Sequence, residues 1–260
     1  MMVRTMTVAI VLAGGANSLV KIGDRCAVEY VIEALRGSSY VDRMIIAGPV
    51  EALRERCLQD GTRQGLPEKK MTLQVVKAGA TPVESFRQAY SLVPPETGRL
   101  LLVTGDIPLL TAEAIDHFIE TCRALEGDFF YPIVSKKVNE EKYPGVERTY
   151  VSLREGVFTG GNLILLKTGI VQKCLQEAEQ IVRLRKRPIA LASHIGWKVL
   201  WSYLTRRLSI EQAEREVSRL LGGVKGVGVI SPYPEIGLDV DKESDLRVVK
   251  KALGLTERAV

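Results

Sequence analysis

A three-layer α/β/α fold with a mostly parallel central sheet is the fold class that this 260-residue sequence predicts. Two observations support it. Short, continuous apolar runs, such as residues 5–12 and 100–104, are typical of strands that are buried on both faces. Segments with apolar residues at helical spacing separate these runs, and this alternation of strand and helix favours a parallel sheet with helices on both sides.

The first half of the chain follows this alternation closely. A strand at 5–12 leads into a loop at 13–25, and a helix follows at 27–35. The next strands are predicted at 41–47, 72–76 and 100–104, and a helix is predicted after each of them, at 50–58, 83–92 and 112–122.

The second half is less regular. Residues 136–148 are highly charged and contain Pro144, which predicts a loop. Ser209 with Gln212 three residues later predicts a helix N-cap, and Ser244 is the expected N-cap of the last helix. The remaining strands are predicted at 128–134, 150–153, 162–166, 224–230 and 236–240, and the helices at 168–182, 188–204, 209–221 and 244–253. One domain over 1–260, with a helical insertion at about 168–221, is the simplest division.

Composition narrows the class of protein. Apolar residues make up 46% and charged residues 26%, as in globular proteins with a sizeable core. The net charge, 36 − 31 = +5, suits an anionic substrate but is too small to indicate nucleic acid binding. The four cysteines form no CxxC pair, and reduced thiols are expected at Cys26, Cys57, Cys122 and Cys174. No signal peptide is seen, which predicts a cytoplasmic location. No apolar run reaches about 18 residues, so no membrane insertion is expected.

The first motif, VLAGGANS at 11–18, places two glycines directly after a buried strand. Glycine permits positive φ and lets backbone N–H groups approach a ligand closely. Turns of this kind hold phosphates, and open α/β sheets bind ligands at the carboxyl ends of their strands. Gly14 and Gly15 therefore predict a phosphate site, or else simply a tight turn.

The second motif, VTGDIPLLT at 103–111, puts Asp106 at the same edge of the predicted sheet as Gly14 and Gly15. A carboxylate there would repel phosphates unless a cation stood between them. Mg²⁺ takes one or two protein carboxylates and completes its shell with phosphate oxygens and water. Asp106 is thus predicted to bind a metal–nucleotide complex, the alternative being an aspartate that caps its turn.

Two further motifs lie in the second half. In GLDVDKESDL at 237–246, Asp239 and Asp241 alternate along a predicted strand, so their side chains would point to one face. There they could complete the coordination shell of the metal. Alternatively, Asp241 only caps the last helix. In FTGGNLILL at 158–166, Asn162 stands at the mouth of a strand, where its amide could bind a sugar hydroxyl. A glycine turn into an edge strand explains the second motif equally well.

The order of these motifs resembles that of the GT-A-like, MobA-like nucleotidyltransferases, a class that includes sugar-phosphate uridylyltransferases, methylerythritol-phosphate cytidylyltransferase and molybdenum-cofactor guanylyltransferase. The resemblance covers almost the whole chain: LAGG after the first strand, the helix beginning at Glu29, TGDIPLL, GGN, and DVDKESDL near the end. It implies a Rossmann-like fold of the nucleotide-diphospho-sugar transferase type.

The resemblance also implies a reaction and a site. An acceptor phosphate attacks the α-phosphorus of a nucleoside triphosphate, and pyrophosphate leaves. Mg²⁺ would be the cofactor, held by Asp106 and a carboxylate of the Asp239 and Asp241 pair, and Lys21 and Arg25 would join Asp106 in catalysis. The residues that the resemblance assigns to nucleotide binding are Leu12, Ala13, Gly14, Gly15, Gly79, Thr81, Ser85, Gly105, Gly161 and Asn162.

The signature loop departs from the family pattern. LAGG is usually followed by x-G-x-R, a lysine and a G-K-P turn, whereas here no arginine follows the glycines within five residues. Asn17 stands where the first lysine belongs, and GDRCA replaces G-K-P. Either Lys21 reaches the triphosphate from a shortened loop, or the protein binds a nucleotide or sugar nucleotide without transferring it. A glycosyltransferase that uses a sugar nucleotide is the third possibility.

A basic segment, RLRKR at 183–187, precedes the predicted 188–204 helix, which contains Trp197 and Trp201. A core helix with solvated charges at its ends is the simplest interpretation. The functional alternatives are an acceptor-phosphate pocket, a homodimer interface, or a surface that touches anionic lipid head groups.

Overall fold

The computed structural model describes residues 5–57, 71–184, 194, 205 and 207–255. Within these ranges the strands are β1 (Thr7–Leu12), β2 (Lys21–Ile22), β3 (Arg25–Cys26), β4 (Arg43–Gly48), β5 (Thr72–Lys77), β6 (Arg99–Thr104), β7 (Phe129–Ser135), β8 (Val151–Leu153), β9 (Gly156–Gly160), β10 (Leu163–Lys167) and β11 (Gly226–Ile230). The α-helices are α1 (Ala27–Gly37), α2 (Val50–Cys57), α3 (Pro82–Tyr90), α4 (Ala112–Ala124), α5 (Lys136–Lys142), α6 (Val171–Leu184), α7 (Ile210–Leu220) and α8 (Glu243–Ala252).

The central sheet has the order β5-β4-β1-β6-β10-β7, with β11 on the far side of β7 and β9-β8 extending from the end of β7. Strands β5, β4, β1 and β6 pair in parallel, and β11 pairs in parallel with β7. Strand β10 runs antiparallel to both β6 and β7. The prediction of a mostly parallel sheet is confirmed, with one reversed strand in its middle.

The two faces of the sheet carry separate cores. Along β1, Ala9 and Val11 face the side covered by α1 and α4, whereas Val8 and Ile10 face the side covered by α3 and α6. All four side chains are fully buried. This explains why β1 reads as an unbroken apolar run, and it confirms the three-layer α/β/α arrangement.

The structure corrects two element predictions in the second half. The charged 136–148 segment is not wholly a loop, because α5 occupies its first part and the hydroxyl of Ser135 caps that helix by accepting from the backbone N–H of Val138. Residues 236–240 do not form a strand. A 3₁₀ turn at Pro234–Gly237 and an extended segment replace it, and the backbone groups there bond to loops.

Other predictions have different outcomes. Helix α7 begins at Ser209 with the expected capping box to Gln212. The short strands β2, β3 and β9 were not predicted. The 188–204 helix lies outside the described residues apart from His194, so the helical insertion and the one-domain division stay predictions.

Two observations bear on the expected environment. Among the described cysteines, Cys26 and Cys122 are buried, Cys174 is half-buried, and none of the three forms a disulfide. Among the helices that the structure describes, none combines the length and apolar character needed to cross a bilayer.

The N-terminus of α8 is capped by Asp245 and not, as predicted, by Ser244. The buried Asp245 carboxylate accepts from the backbone N–H groups of Asp241 at 3.2 Å and Lys242 at 2.9 Å. Asp245→Ala is expected to lower the free energy of unfolding by about 1 to 2 kcal/mol, because both donors lose their acceptor. Urea denaturation measures this. Ser244→Ala, the matched control, should stay within about 0.5 kcal/mol of the parent; equal effects would contradict the assignment.

Candidate active site

The carboxyl ends of β1 and β6 bring the two glycine-containing loops together. Leu12 and Thr104 are register partners in the parallel pair, so the residues that follow them meet at one edge. The backbone N–H of Gly105 donates to the carbonyl of Leu12 at 2.9 Å, and that of the buried Ala13 donates to Ala47 at 2.8 Å. The Gly14–Gly15 turn and Asp106 thus lie side by side, as the sequence predicts.

Neither glycine of this turn requires positive φ, and only Gly14 is closely approached by another part of the chain. Gly15 has a φ of −79°, and neither glycine lies in the left-handed region. A Cβ on Gly14 would come within 2.8 Å of the Cβ of Ala78, whereas no described heavy atom lies within 4 Å of a Cβ placed on Gly15. Both residues are exposed. Open space therefore borders bare backbone at the carboxyl end of β1, which suits an anionic ligand.

Three buried polar atoms at this edge lack hydrogen-bond partners among the described residues. They are Asp106 Oδ1, Thr104 Oγ1 and Asn162 Nδ2. Thr104 ends β6, Asn162 precedes β10, and the backbone N–H of Thr104 donates to the Asn162 carbonyl at 3.2 Å. Buried polar atoms are normally paired, and a group of orphans at one place is typical of a ligand site.

The C-terminal segment brings two more carboxylates to this edge. The backbone N–H of Val240 donates to the carbonyl of Asp106 at 3.0 Å, which fixes Asp239 and Asp241 beside Asp106. They do not share a strand face as predicted, yet the fold still gathers them. Asp241 does not cap α8; its Oδ1 accepts from the amide of Asn17 at 2.9 Å.

Crowding of these carboxylates changes their ionisation. Burial raises the pKa of Asp106 above its ordinary value, the nearby Thr104 hydroxyl lowers it in part, and the neighbouring Asp239 raises it again. Partial burial also raises the pKa of Asp241, as do Asp239 and Asp106, while the Asn17 amide lowers it. Asp106 and Asp241 are therefore harder to ionise, first because they are withdrawn from water and then because negative charge lies close to them. A bound cation would relieve that repulsion.

Sequence analysis missed Arg148 as a site residue. The chain after α5 packs through Tyr143 and Val146 against the same small core as Leu238 and Val240. This contact carries the largely buried guanidinium of Arg148 onto Asp239, with which it forms an ion pair. The segment was noted only as a charged loop, and no spacing in the sequence connects it with Asp239.

The two cations that the sequence predicts as catalytic, Arg25 and Lys21, have different surroundings. Arg25 bonds to the carbonyl of Glu29, pairs with the carboxylate of Glu33 and stacks over the Tyr30 ring, all on α1. Lys21 is exposed on the β2–β3 hairpin, and its ammonium pairs with no acidic side chain in the described part of the chain. Their predicted roles in catalysis stay predictions.

The loop between β5 and α3 is held by its own side chains. Thr81 caps α3 by accepting from the backbone N–H of Glu84 at 3.1 Å. The buried Ser85 hydroxyl accepts from the Gly79 N–H at 3.0 Å and donates to the Thr81 carbonyl at 2.9 Å. These hydroxyls shape the loop, and the predicted nucleotide-binding roles of Gly79, Thr81 and Ser85 stay predictions.

The second glycine pair is tightly packed. The backbone N–H of Gly161 donates to the carbonyl of Pro132 at 2.9 Å, and a Cβ on Gly161 would come within 2.9 Å of the Pro132 ring. The N–H of Asn162 donates to the Ile236 carbonyl at 2.7 Å, which leaves the Asn162 side chain at the sheet edge beside Thr104.

The donor set fits a hard divalent cation that is shared with a phosphate ligand. Asp106 supplies a buried carboxylate oxygen with no partner among the described residues, beside Asp239 and Asp241. No group of three or more His, Cys, Asp or Glu side chains within the described ranges could hold a metal by itself. A cation here would need further oxygens, and Mg²⁺ takes such oxygens from phosphates and water.

Comparison with known proteins agrees with this geometry. The family model of the MobA-like NTP transferase domain matches residues 9–208. A hypothetical transferase structure from Thermus thermophilus is 37% identical over 93% of this chain and 100% of that chain, with a TM-score of 0.77. No curated protein matches the chain.

Two more distant structures share the fold. One is 4-diphosphocytidyl-2C-methyl-D-erythritol synthase from Anaerococcus prevotii, at 12% identity and a TM-score of 0.61, covering 96% of this chain and 99% of that one. The other is CMP:2-keto-3-deoxy-manno-octonic acid synthetase complexed with CTP, at 10% identity and a TM-score of 0.59, with the same coverage.

Proposed function

Because the chain belongs to the MobA-like NTP transferase family, and is a nucleotidyltransferase by that membership, we propose that it transfers a nucleoside monophosphate from an NTP to a phosphorylated small molecule in a Mg²⁺-dependent reaction. The observation that carries this proposal is the buried Asp106 oxygen, which has no partner among the described residues, beside two further carboxylates and an open glycine turn. Such a site suits a hard divalent cation, which these carboxylates would hold and which would neutralise phosphate charge.

The residues divide the work by their chemistry. The exposed backbone of Gly14 and Gly15 borders the open space in which the triphosphate would lie. Asp106, with Asp239 or Asp241, would hold the Mg²⁺. The ion would supply neutralising charge on the transferred phosphate and on the leaving pyrophosphate. Asn162, with its free amide donors, is placed to bind a ribose hydroxyl.

Arg148 supplies positive charge that the shortened signature loop lacks. Its guanidinium lies on Asp239, within the acidic cluster, and it has five N–H donors with which to bind a phosphate. We assign it to the acceptor phosphate. An oxygen of that phosphate forms the new bond to the α-phosphorus while the bond to pyrophosphate breaks, so the arginine would orient the nucleophile.

A protein that binds nucleotide without transferring it is the second candidate. It is favoured by Asn17, which stands in the family's lysine position and bonds to Asp241, and by Arg25, whose guanidinium is held on α1. Positioned charges contribute roughly 10²- to 10³-fold each to reactions of this kind, so their loss could leave binding alone.

Two measurements separate these candidates. Each of the four NTPs is added with Mg²⁺, and the melting temperature is recorded. Pyrophosphate release is then followed with sugar, polyol and alkyl phosphates as acceptors. A nucleotide at 100 times its dissociation constant should stabilise the protein by about 2.7 kcal/mol. Stabilisation with pyrophosphate release supports the transferase, stabilisation alone supports the binding protein, and no stabilisation by any NTP contradicts both.

A further inference from the structure

A cavity of about 480 Å³ lies on the α3 and α6 side of the sheet, with α7 closing another side. The described residues that line it are mostly apolar and include Phe86, Leu102, Tyr131, Ile164, Leu175 and Leu220. Glu177 also lines it, but the Glu177 carboxylate is engaged by His194. Small-molecule sites typically measure about 300–1,000 Å³, so the cavity has the size of a ligand site.

The wall of this cavity that is formed by β6 and β10 borders the candidate active site. Side chains two residues apart on a strand share a face, about 7 Å from one another. On β6, Leu102 lines the cavity, and Thr104 is the next residue on that face. On the neighbouring β10, Ile164 lines the cavity, and Asn162 stands two residues before it. The apolar side chains of Leu102 and Ile164 therefore lie next to Thr104 Oγ1 and Asn162 Nδ2, two atoms at the sheet edge that lack partners among the described residues.

Tyr131 connects the cavity with the charged part of the site. Its ring lines the cavity, and burial raises the pKa of its hydroxyl, whereas the nearby Arg148 guanidinium lowers it. The same guanidinium lies on Asp239. A ligand whose anionic end met Arg148 could therefore extend along Tyr131 into the cavity.

We propose that the acceptor is a phosphate monoester carried on an apolar chain, with its phosphate at Arg148 and its chain in this cavity. The inference rests on the proposed nucleotidyl transfer. A sugar phosphate would have to place most of its hydroxyl groups against apolar side chains, because Tyr131, Cys174 and Glu177 alone carry polar side-chain atoms among the described lining residues, and such burial is costly. An alkyl chain gains by burial in the same place.

The reaction balances without a further reagent. One oxygen of the alkyl phosphate forms a bond to the α-phosphorus of the NTP, and the bond between that phosphorus and the pyrophosphate oxygen breaks. The products are an alkyl ester of a nucleoside diphosphate and pyrophosphate. With both reactants fully ionised, six negative charges enter and six leave, so no proton has to move.

Calorimetric titration of the whole chain with ethyl phosphate, n-octyl phosphate and n-octanol tests the proposal. Each methylene that enters the cavity should tighten binding about fourfold, so octyl phosphate should bind more than about 100-fold tighter than ethyl phosphate. Octanol should bind less tightly than octyl phosphate because it lacks the anionic end. Equal affinities for ethyl and octyl phosphate would overturn the proposal, and so would equal affinities for octanol and octyl phosphate.

Variants locate the binding. Ala178 lines the cavity from α6, and Ala178→Phe should fill it and abolish the advantage of octyl over ethyl phosphate. Gln180→Phe, on the exposed side of the same helix, is the matched control and should keep that advantage. Leu220→Trp fills the cavity from α7 and gives a second test should Ala178→Phe fail to fold. An advantage that persists in a folded cavity variant would overturn the proposal.

The outcome separates the acceptor class from the reaction. Cavity-dependent binding of octyl phosphate, with no pyrophosphate release from any NTP, would keep the cavity site but contradict nucleotidyl transfer. Release of pyrophosphate with sugar phosphates alone would support transfer and overturn the apolar acceptor. Release with octyl phosphate that falls in Ala178→Phe but not in Gln180→Phe would support both.

Discussion

Replacing Asp106 with asparagine is expected to lower the rate of nucleotidyl transfer by about 10²- to 10³-fold without destabilising the fold. The carboxylate has an oxygen with no partner among the described residues, beside Asp239 and Asp241, so it contributes repulsion when no cation is bound. Asparagine keeps the shape but removes the charge. Pyrophosphate release under saturating NTP and Mg²⁺ measures the rate, and near-parental activity would contradict a role for Asp106 in the reaction.

Stability against pH gives a second readout of the same substitution. Because burial raises the folded-state pKa of Asp106, the folded chain favours the protonated acid. The stabilisation of the fold by protonated Asp106 is fully present below the unfolded pKa, near 3.8, and is lost as pH rises through the higher folded pKa. Above that range, Asp106→Asn should therefore melt at the same or a higher temperature than the parent in the absence of metal and nucleotide.

Asp128→Asn is the matched control with the opposite sign. Asp128 stands at the other edge of the sheet, where hydrogen bonds from the Lys167 ammonium and the Lys225 backbone lower its pKa. Its stabilising effect is present above the unfolded pKa and is lost as pH falls through the lower folded value. At neutral pH, Asp128→Asn should lower the melting temperature and leave the transfer rate unchanged. If Asp106→Asn and Asp128→Asn both lowered the melting temperature, the opposite pKa shifts assigned to these two carboxylates would be contradicted.

The second large effect is expected from Arg148→Gln, which should lower kcat/KM for the acceptor by about 100-fold through a higher KM. The variant should also bind Mn²⁺ or Mg²⁺ more tightly when no acceptor is present, because Asp239 loses the cation that now neutralises it. If Arg148 had a purely structural role, its replacement would not weaken acceptor binding and tighten metal binding at the same time.

Arg148→Lys tests whether charge alone suffices. Lysine keeps the charge but not the planar set of donors, so it should recover metal affinity toward the parental value and only part of the acceptor affinity. Arg154→Gln removes an exposed arginine six residues away and should change neither quantity. Weaker metal binding in Arg148→Gln, measured by calorimetry with Mn²⁺, would contradict the arrangement.

The part of the site formed by Gly14, Gly15 and Asp106 could be predicted from the sequence for a simple reason. Each follows a strand of a parallel sheet, and the carboxyl ends of parallel strands share one edge. The apolar runs at β1 and β6 are buried on both faces, so their strand character can be read locally. Topology then fixes the proximity of their loops, whatever the length of chain between them.

Site residues that do not directly follow a strand of the parallel sheet could not be predicted from the sequence. The alternating pattern at 236–240 looks like a strand, but its backbone groups bond to Asp106 and Asn162, which no local pattern reveals. Arg148 reaches Asp239 because its loop packs on the C-terminal segment, a purely tertiary effect. Arg25 bonds to the backbone carbonyl of Glu29 and pairs with the Glu33 carboxylate on α1, and its predicted catalytic role stays a prediction.

The bond from Asn17 to Asp241 joins residues that are 224 positions apart. Together with the bond from Val240 to Asp106, it makes the acidic cluster a product of the two ends of the chain. During synthesis the strands β1 to β11 all emerge before the segment that carries Asp239 and Asp241. A nascent chain can therefore form its sheet, but it gains the full set of carboxylates only when the segment after β11 docks. Contacts of such long sequence separation are slow to form, so the carboxylate cluster would be among the last features to assemble, and cleavage before Leu238 would remove Asp239 and Asp241 while sparing the strands that the structure describes.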